Sequence, residues 1–224
     1  MKKLIVLFAV CCLLLAGCVN AKADSIESPA PADPVITTAT EVPLTIMPLP
    51  DTTMEELNDA ILSVSLEEGS AYVDDTGKMQ MDLKIFSYDK YDMVDIAGLK
   101  VGDTIVKHSG EVKVTSMEQG AAGAILINGG LDAGGFDLVT DEDGIFYEKG
   151  YNDHKNWYEA GTATIRVSVD FVFTDNADLD LGEMTFYPGS FLIGEVTNYD
   201  FTPYNTTIRV EGGQVIEMNR VYIP

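Results

Sequence analysis

The stretch Ala163–Phe173, ATIRVSVDFVF, alternates apolar and polar side chains as far as Phe171. Ile165, Val167, Val169, Phe171 and Phe173 fall on one side of an extended chain, and Thr164, Arg166, Ser168 and Asp170 on the other. That division has a period of two, because successive side chains of a β-strand point to opposite faces. Lys78–Phe86, KMQMDLKIF, repeats it, with Met79, Met81, Leu83 and Ile85 set against Gln80, Asp82 and Lys84. Each strand is expected to bury one face and wet the other. Antiparallel sheet reads this way, whereas strands of a doubly wound parallel sheet are usually apolar on both faces.

The flanking sequence supplies turns for such strands. Ser109-Gly110 and Gly212-Gly213 each separate two short alternating runs, as two-residue hairpin loops do when glycine provides a positive φ. Further strands are expected at Ala124–Asn128, Ile145–Glu148 and Phe191–Val196, and a helical turn near Tyr91–Ala97. A short helix is expected over Met54–Leu62, since Thr53 and Glu56 have capping-box spacing and Met54, Leu57 and Ile61 share a helical face. The expected fold is mainly β, an antiparallel β-sandwich or small barrel with one short N-terminal helix. It forms one acidic domain over residues 53–224, or two subdomains dividing near 118–123.

The N-terminus reads MKKLIVLFAVCCLLLAGCVN. Lys2 and Lys3 precede an apolar run from Leu4 to Ala16, too short for a comfortable bilayer crossing at about 20 residues. That is the layout of a secretory signal peptide over residues 1–17. Leu15-Ala16-Gly17-Cys18 resembles the lipobox of bacterial lipoproteins, a resemblance that covers residues 1–20 only. It implies cleavage before Cys18, a diacylglycerol thioether on Cys18, and a lipid-anchored place on the extracytoplasmic side of the bacterial cell membrane. Cys11 and Cys12 would leave with the signal peptide, so the one remaining cysteine would be used by the lipid and no disulfide could form. Residues 18–52 hold six of the nine prolines and are expected to form a disordered tether. Within it VPLTIMPLP is apolar enough to lie along the domain surface instead.

Charge excludes some partners. The chain carries 14 basic and 36 acidic residues, a net of −22; loss of two lysines with the signal peptide would bring this to 12 against 36, or −24. Such a surface repels phosphate backbones and anionic headgroups, so nucleic acid is not an expected partner. Cations, glycans, peptides and envelope proteins remain open.

Four places invite chemistry. Asp175, Asn176, Asp178, Asp180 and Glu183 offer calcium the hard oxygen ligands it takes, about six to eight in number, but their spacing departs from the EF-hand loop, and a polar turn reads equally well. Asp75-Thr76-Gly77 has the tripeptide of aspartic proteases, but its charged neighbours suit a solvated hairpin tip. Only His108 and His154 could serve a catalytic triad, and no G-x-S-x-G elbow accompanies either. The tract from Tyr147 to Tyr158 gathers Tyr151, His154, Trp157 and Tyr158 among amides and carboxylates, a mixture that stacks on a sugar ring, anchors a peptide, or plugs a core. The gly-acidic run INGGLDAGGFDLVTDEDG, Ile127–Gly144, lacks the lysine and Ser/Thr of a phosphate loop and reads as a long inter-strand connection. The composite expectation is a noncatalytic surface binding module for a glycan, peptide or protein partner. An envelope hydrolase using a carboxylate pair, and an accessory subunit of an envelope complex, are the alternatives.

Overall fold

The computed structural model describes residues 42–192 and 200–223. Cys18, the signal segment and the tether as far as Glu41 lie outside the described residues. The chain from Glu41 onward forms one compact unit. Its elements are β1 (Thr45–Ile46), β2 (Ala60–Ser65), β3 (Ala71–Val73), β4 (Met79–Ser87), β5 (Lys90–Tyr91), α1 (Met93–Gly98), β6 (Thr104–Lys107), β7 (Gly110–Lys113), β8 (Met117–Gln119), β9 (Ile125–Ile127), β10 (Phe136–Thr140), β11 (Phe146–Glu148), β12 (Tyr158–Asn176), β13 (Met184–Phe186), α2 (Pro188–Leu192), β14 (Thr206–Glu211) and β15 (Gln214–Val221).

The two alternating stretches become β4 and β12, and they pair antiparallel from Tyr158 opposite Ser87 to Arg166 opposite Gln80. Around them the sheet closes on itself: β2 pairs with β4, β4 with β12, β12 with β15, β15 with β14, and β14 again with β2. Every pairing in this ring is antiparallel except β12 with β15. The result is a five-stranded closed Greek-key barrel of the OB type, a likeness of connectivity that carries no ligand with it. Closure leaves no free edge among these strands except where β12 outruns its neighbours, and there β13 covers it. Val64, Met81, Ile85, Phe171, Phe173, Val215 and Met218 fill the interior.

One side chain of the alternation falls out of step. Val167 faces Val215 and Val172 faces Glu217, so β12 carries three more residues than β15 across that interval. The excess bulges outward, and Val169, expected inside, is 82% exposed.

Residues 88–157 form an insertion between β4 and β12. It contains the five-stranded sheet β5-β11-β10-β9-β8 and, with β1, the small sheet β1-β6-β7. A second cluster built on Ile46, Tyr91, Ile105, Ile127, Phe136 and Leu138 is its core. The chain thus has two cores, but no boundary falls near 118–123: β8 is paired to β9 there, and the division follows the exit at Ser87 and the return at Tyr158.

Four expectations about local structure are adjusted. A tether reaching residue 52 is too long: VPLTIMPLP takes the alternative reading and lies along the domain. Thr45 and Ile46 pair parallel with Thr104 and Ile105, the Leu44 amide donates to Asp103 at 2.7 Å, the Leu49 amide donates to the Lys90 carbonyl at 2.7 Å, and Ile46 is buried. Burying that isoleucine in the second core outweighs the extended preference of the flanking prolines for solvent. The helix expected at Met54–Leu62 is one turn only, in which the Glu55 and Glu56 amides donate to the Thr52 carbonyl. It stops because Ala60–Ser65 is claimed by β14 and β4. Phe191 lies in α2, not a strand; Pro188 suits a first helical turn, and Phe191 packs edge-on to Phe171. The rest of that expected strand lies outside the described residues. The first hairpin turns at His108-Ser109, since Lys107 pairs with Gly110, and the second turns at Gly212-Gly213 as expected.

The glycine-acid run is the connection from β9 into β10 and on to β11. Asn128, Gly129 and Gly130 all take positive φ there. Gly135 passes so close that a Cβ would lie 1.9 Å from the Ile127 carbonyl oxygen.

Candidate functional site

The insertion's last strand delivers the aromatic tract. β11 pairs with β5, placing Tyr147 beside Lys90, and the chain then doubles back in a narrow loop. The Gly150 amide donates to the His154 carbonyl at 2.6 Å, and the Asn156 amide to the Glu148 carbonyl at 3.0 Å. Asn152 and Asp153 close the loop at φ 49° and 64°, a conformation these two residue types tolerate better than most. Gly150 is required for a different reason: a Cβ there would stand 2.9 Å from the Lys155 carbonyl oxygen.

This loop presents its side chains to Tyr88, the first residue past β4. Tyr88 meets Tyr147 edge-on with centroids 5.8 Å apart and Trp157 edge-on at 5.2 Å. Lys155 reaches over the group: its Nζ donates to the Tyr88 hydroxyl at 2.8 Å and lies 4.0, 5.5 and 5.8 Å from the ring centroids of Tyr88, Tyr147 and Trp157. Lys90 Nζ lies 5.1 Å from the Tyr88 centroid. His154 meets Tyr204, in the approach to β14, at 5.8 Å.

These side chains line an open cleft of about 660 Å³ between the insertion and the barrel. Thr52, Thr53, Glu56 and Asp59 contribute from the N-terminal turn, and Ile61, Ser63 and Thr207 from the outer faces of β2 and β14. The size suits a drug-sized ligand or two or three sugar rings. Its carboxylates are engaged within the protein. Glu56 accepts from the Thr52 hydroxyl at 2.8 Å, Asp59 accepts from the Gly212 amide at 2.9 Å, and Asp153 pairs with Lys149 at 2.5 Å. The Lys149 hydrogen bond holds the Asp153 carboxyl below its ordinary range.

Of the residues expected to contact a ligand, His154 and Trp157 are brought together here. Tyr158 is not. It opens β12 against a different surface, stacked on His108 at 3.8 Å with its hydroxyl donating to Asp51 at 3.0 Å. Burial pushes the Tyr158 phenol up to about 12, and Asp51 adds to the effect. The Tyr151 side chain lies outside the described residues. Tyr88, Lys90, Lys155 and Tyr204 were not singled out from the sequence. Only proximity of Lys155 to Trp157 hinted at one of them; Tyr88 and Tyr204 arrive from distant elements.

The acidic run expected to hold calcium is spent otherwise. Asp175 is 3% exposed and binds Arg220, whose Nε donates to it at 2.9 Å and whose Nη2 pairs with its second oxygen. Asp178 accepts from the Asp180 and Leu181 amides, and Asn176 donates to Glu183. A metal set built on Asp175 with Asn176, Asp178, Asp180 and Glu183 is therefore corrected: the buried arginine takes its first member and Asx turns occupy the next. Among the described residues no three acidic, histidine or cysteine side chains are grouped to hold a metal ion.

Asp75-Thr76-Gly77 sits in the hairpin between β3 and β4, with Gly77 at φ 78°. Its neighbour Asp74 accepts from the Lys78 amide, the Thr76 amide and hydroxyl, and the Gln80 amide group, which hold its carboxyl well below the ordinary range. This is a self-capped turn.

Comparison of the chain with protein-family models, with curated proteins and with solved structures finds no match.

Proposed function

We propose that this protein is a noncatalytic binding module that holds a glycan in the cleft between barrel and insertion. One observation carries the reading. The only tryptophan of the chain and three tyrosines, Tyr88, Tyr147 and Tyr204, converge with hydroxyl and charged side chains on an open cleft, from elements far apart in sequence. Flat rings stack on the apolar faces of sugars, and the surrounding Thr, Ser, Asp and Lys groups meet their hydroxyls. The carboxylates in the cleft accept hydrogen bonds from the protein's own donors, which favours binding over acid–base work by a free pair.

The lipobox resemblance supports a position on the outer side of a bacterial membrane, with Cys18 as the tether point. Among the described residues no helix is long and apolar enough to cross a membrane. The tether would run to about residue 41 rather than 52, with the domain starting at the docked segment that contains β1.

Titration of the mature protein with neutral and acidic oligosaccharides, followed by isothermal titration calorimetry, tests the reading. Binding should fall at least about tenfold in Trp157→Ala and Tyr204→Ala, at melting temperatures near wild type. Unchanged affinity in both variants would sink it, and release of new reducing ends from a bound glycan would favour the hydrolase instead. Cys18→Ser should leave an unacylated precursor; acylation that persists would overturn the anchor.

A further inference from the structure

The charges lining the cleft are not evenly met. Glu56, Asp59 and Asp153 each accept from a protein donor, the last from a lysine. Lys90 and Lys155 have no carboxylate partner among the described residues, in a chain where acids outnumber bases by 36 to 14. Their ammonium groups lie 5.1 and 4.0 Å from one ring centroid, that of Tyr88, and so stand within about 9 Å of each other. Other cations do pair with carboxylates: Lys84 with Glu67, Lys107 with Glu148, Lys149 with Asp153, Arg209 with Glu217 and Arg220 with Asp175.

We propose that Lys90 and Lys155, carried on Tyr88, form a subsite for an anionic group on the ligand, and that the glycan of this cleft is a sugar acid whose carboxylate they bind. The inference rests on the glycan reading and adds a ligand class to it. Backbone geometry fixes both lysines. Lys90 is held in β5 opposite Tyr147, and Lys155 is bridged to Lys149 across the loop that Gly150 permits. Cation–π contact with Tyr88 restrains the ammonium groups without neutralising them, so their charge remains available to an incoming oxygen. A uronic acid joins the two features the cleft offers, since its ring stacks on an aromatic face while its carboxylate reaches an ammonium.

The acidity of the whole chain does not oppose this. Exposed charges more than a Debye length away, about 8 Å at physiological salt, are largely screened, so two ammonium groups in contact with the ligand outweigh distant carboxylates.

The test compares an oligogalacturonate with its methyl ester, the same sugar without the charge, on the mature protein with isothermal titration calorimetry as readout. The acid form should bind about tenfold tighter than the ester, as expected for a charge-assisted hydrogen bond. The Lys90→Gln/Lys155→Gln double variant should bind acid and ester alike, and Lys155→Arg should keep the preference. Equal binding of acid and ester by wild type, with binding still lost in Trp157→Ala, would overturn the anionic subsite and leave the glycan cleft standing. A preference that survives in the double variant would also overturn it. A double variant that instead gains affinity for tetramethylammonium would show the ring cluster to be a cation cage filled by Lys155, a third result against the proposal. No response to either sugar would refute the glycan reading itself.

Discussion

Replacing Asp175 should cost the protein more stability than most changes at an acidic residue, although its own segment reads as a solvated loop. Asp175 and Arg220 are both 3% exposed, and the guanidinium contacts both carboxylate oxygens. The same guanidinium lies 4.4 Å from the Phe201 ring centroid and 5.8 Å from that of Phe173, so it is enclosed by the barrel's aromatic cluster. Asp175→Ala removes one charge and leaves the other in a medium that solvates it poorly. Removing one partner of a buried pair costs about 3–5 kcal/mol. In a unit of this size each kcal/mol lowers the melting temperature by about 2–4 °C, so a fall of roughly 6–20 °C is expected. Urea titration of wild type and variant at a shared slope gives the free-energy difference directly. The double change Asp175→Leu/Arg220→Met removes both charges while filling similar space, and should lie within about 2 kcal/mol of wild type or above it. A loss below about 1 kcal/mol in Asp175→Ala would refute the buried pair, and recovery of that variant's stability by calcium would point back to a metal site. Neither the pair nor the aromatic enclosure has a role for added cation.

Other outcomes follow from close approaches and from titration. Gly135→Ala places a Cβ 1.9 Å from the Ile127 carbonyl oxygen, a backbone atom fixed in β9, and should cost several kcal/mol, visible as poor expression or a melting temperature lowered by about 10 °C. Gly150→Ala should act locally, because its Cβ meets the Lys155 carbonyl at 2.9 Å: ligand binding should weaken more than the melting temperature falls, as read by titration and scanning calorimetry on one sample. The alkaline limb of stability should depend on Tyr158. Its neutral form is favoured in the fold, with the phenol raised from 10.0 to about 12, so its contribution is complete below pH 10 and is lost as pH rises towards 12. Tyr158→Phe has no proton to lose, and its urea midpoint should fall less between pH 9 and pH 11 than that of wild type; parallel curves would contradict the assignment.

The two alternating stretches were sufficient to name two half-buried strands, because burial of Met79, Met81, Leu83 and Ile85 follows from period alone. Their partners were not legible. β12 pairs parallel with β15 across a three-residue bulge, and nothing local marks Val169 as the residue that turns outward. Tertiary pairing also overrode local preference at Ala60–Ser65, where a helical spacing of Leu57 and Ile61 gave way to a strand closing the ring. The site divides along the same line. His154 and Trp157 could be read from one loop because they lie on it, while Tyr88 and Tyr204 join them only through the insertion's docking on the barrel. Tyr158 shows the limit from the other side: adjacent to Trp157 in sequence, it was grouped with it, yet the pleat that begins β12 sends consecutive side chains to opposite faces. Trp157 therefore faces the cleft with Tyr88, and Tyr158 faces His108 and Asp51. The rule that revealed the barrel from Ala163–Phe173 thus also separates these two neighbours, once the start of the strand is known.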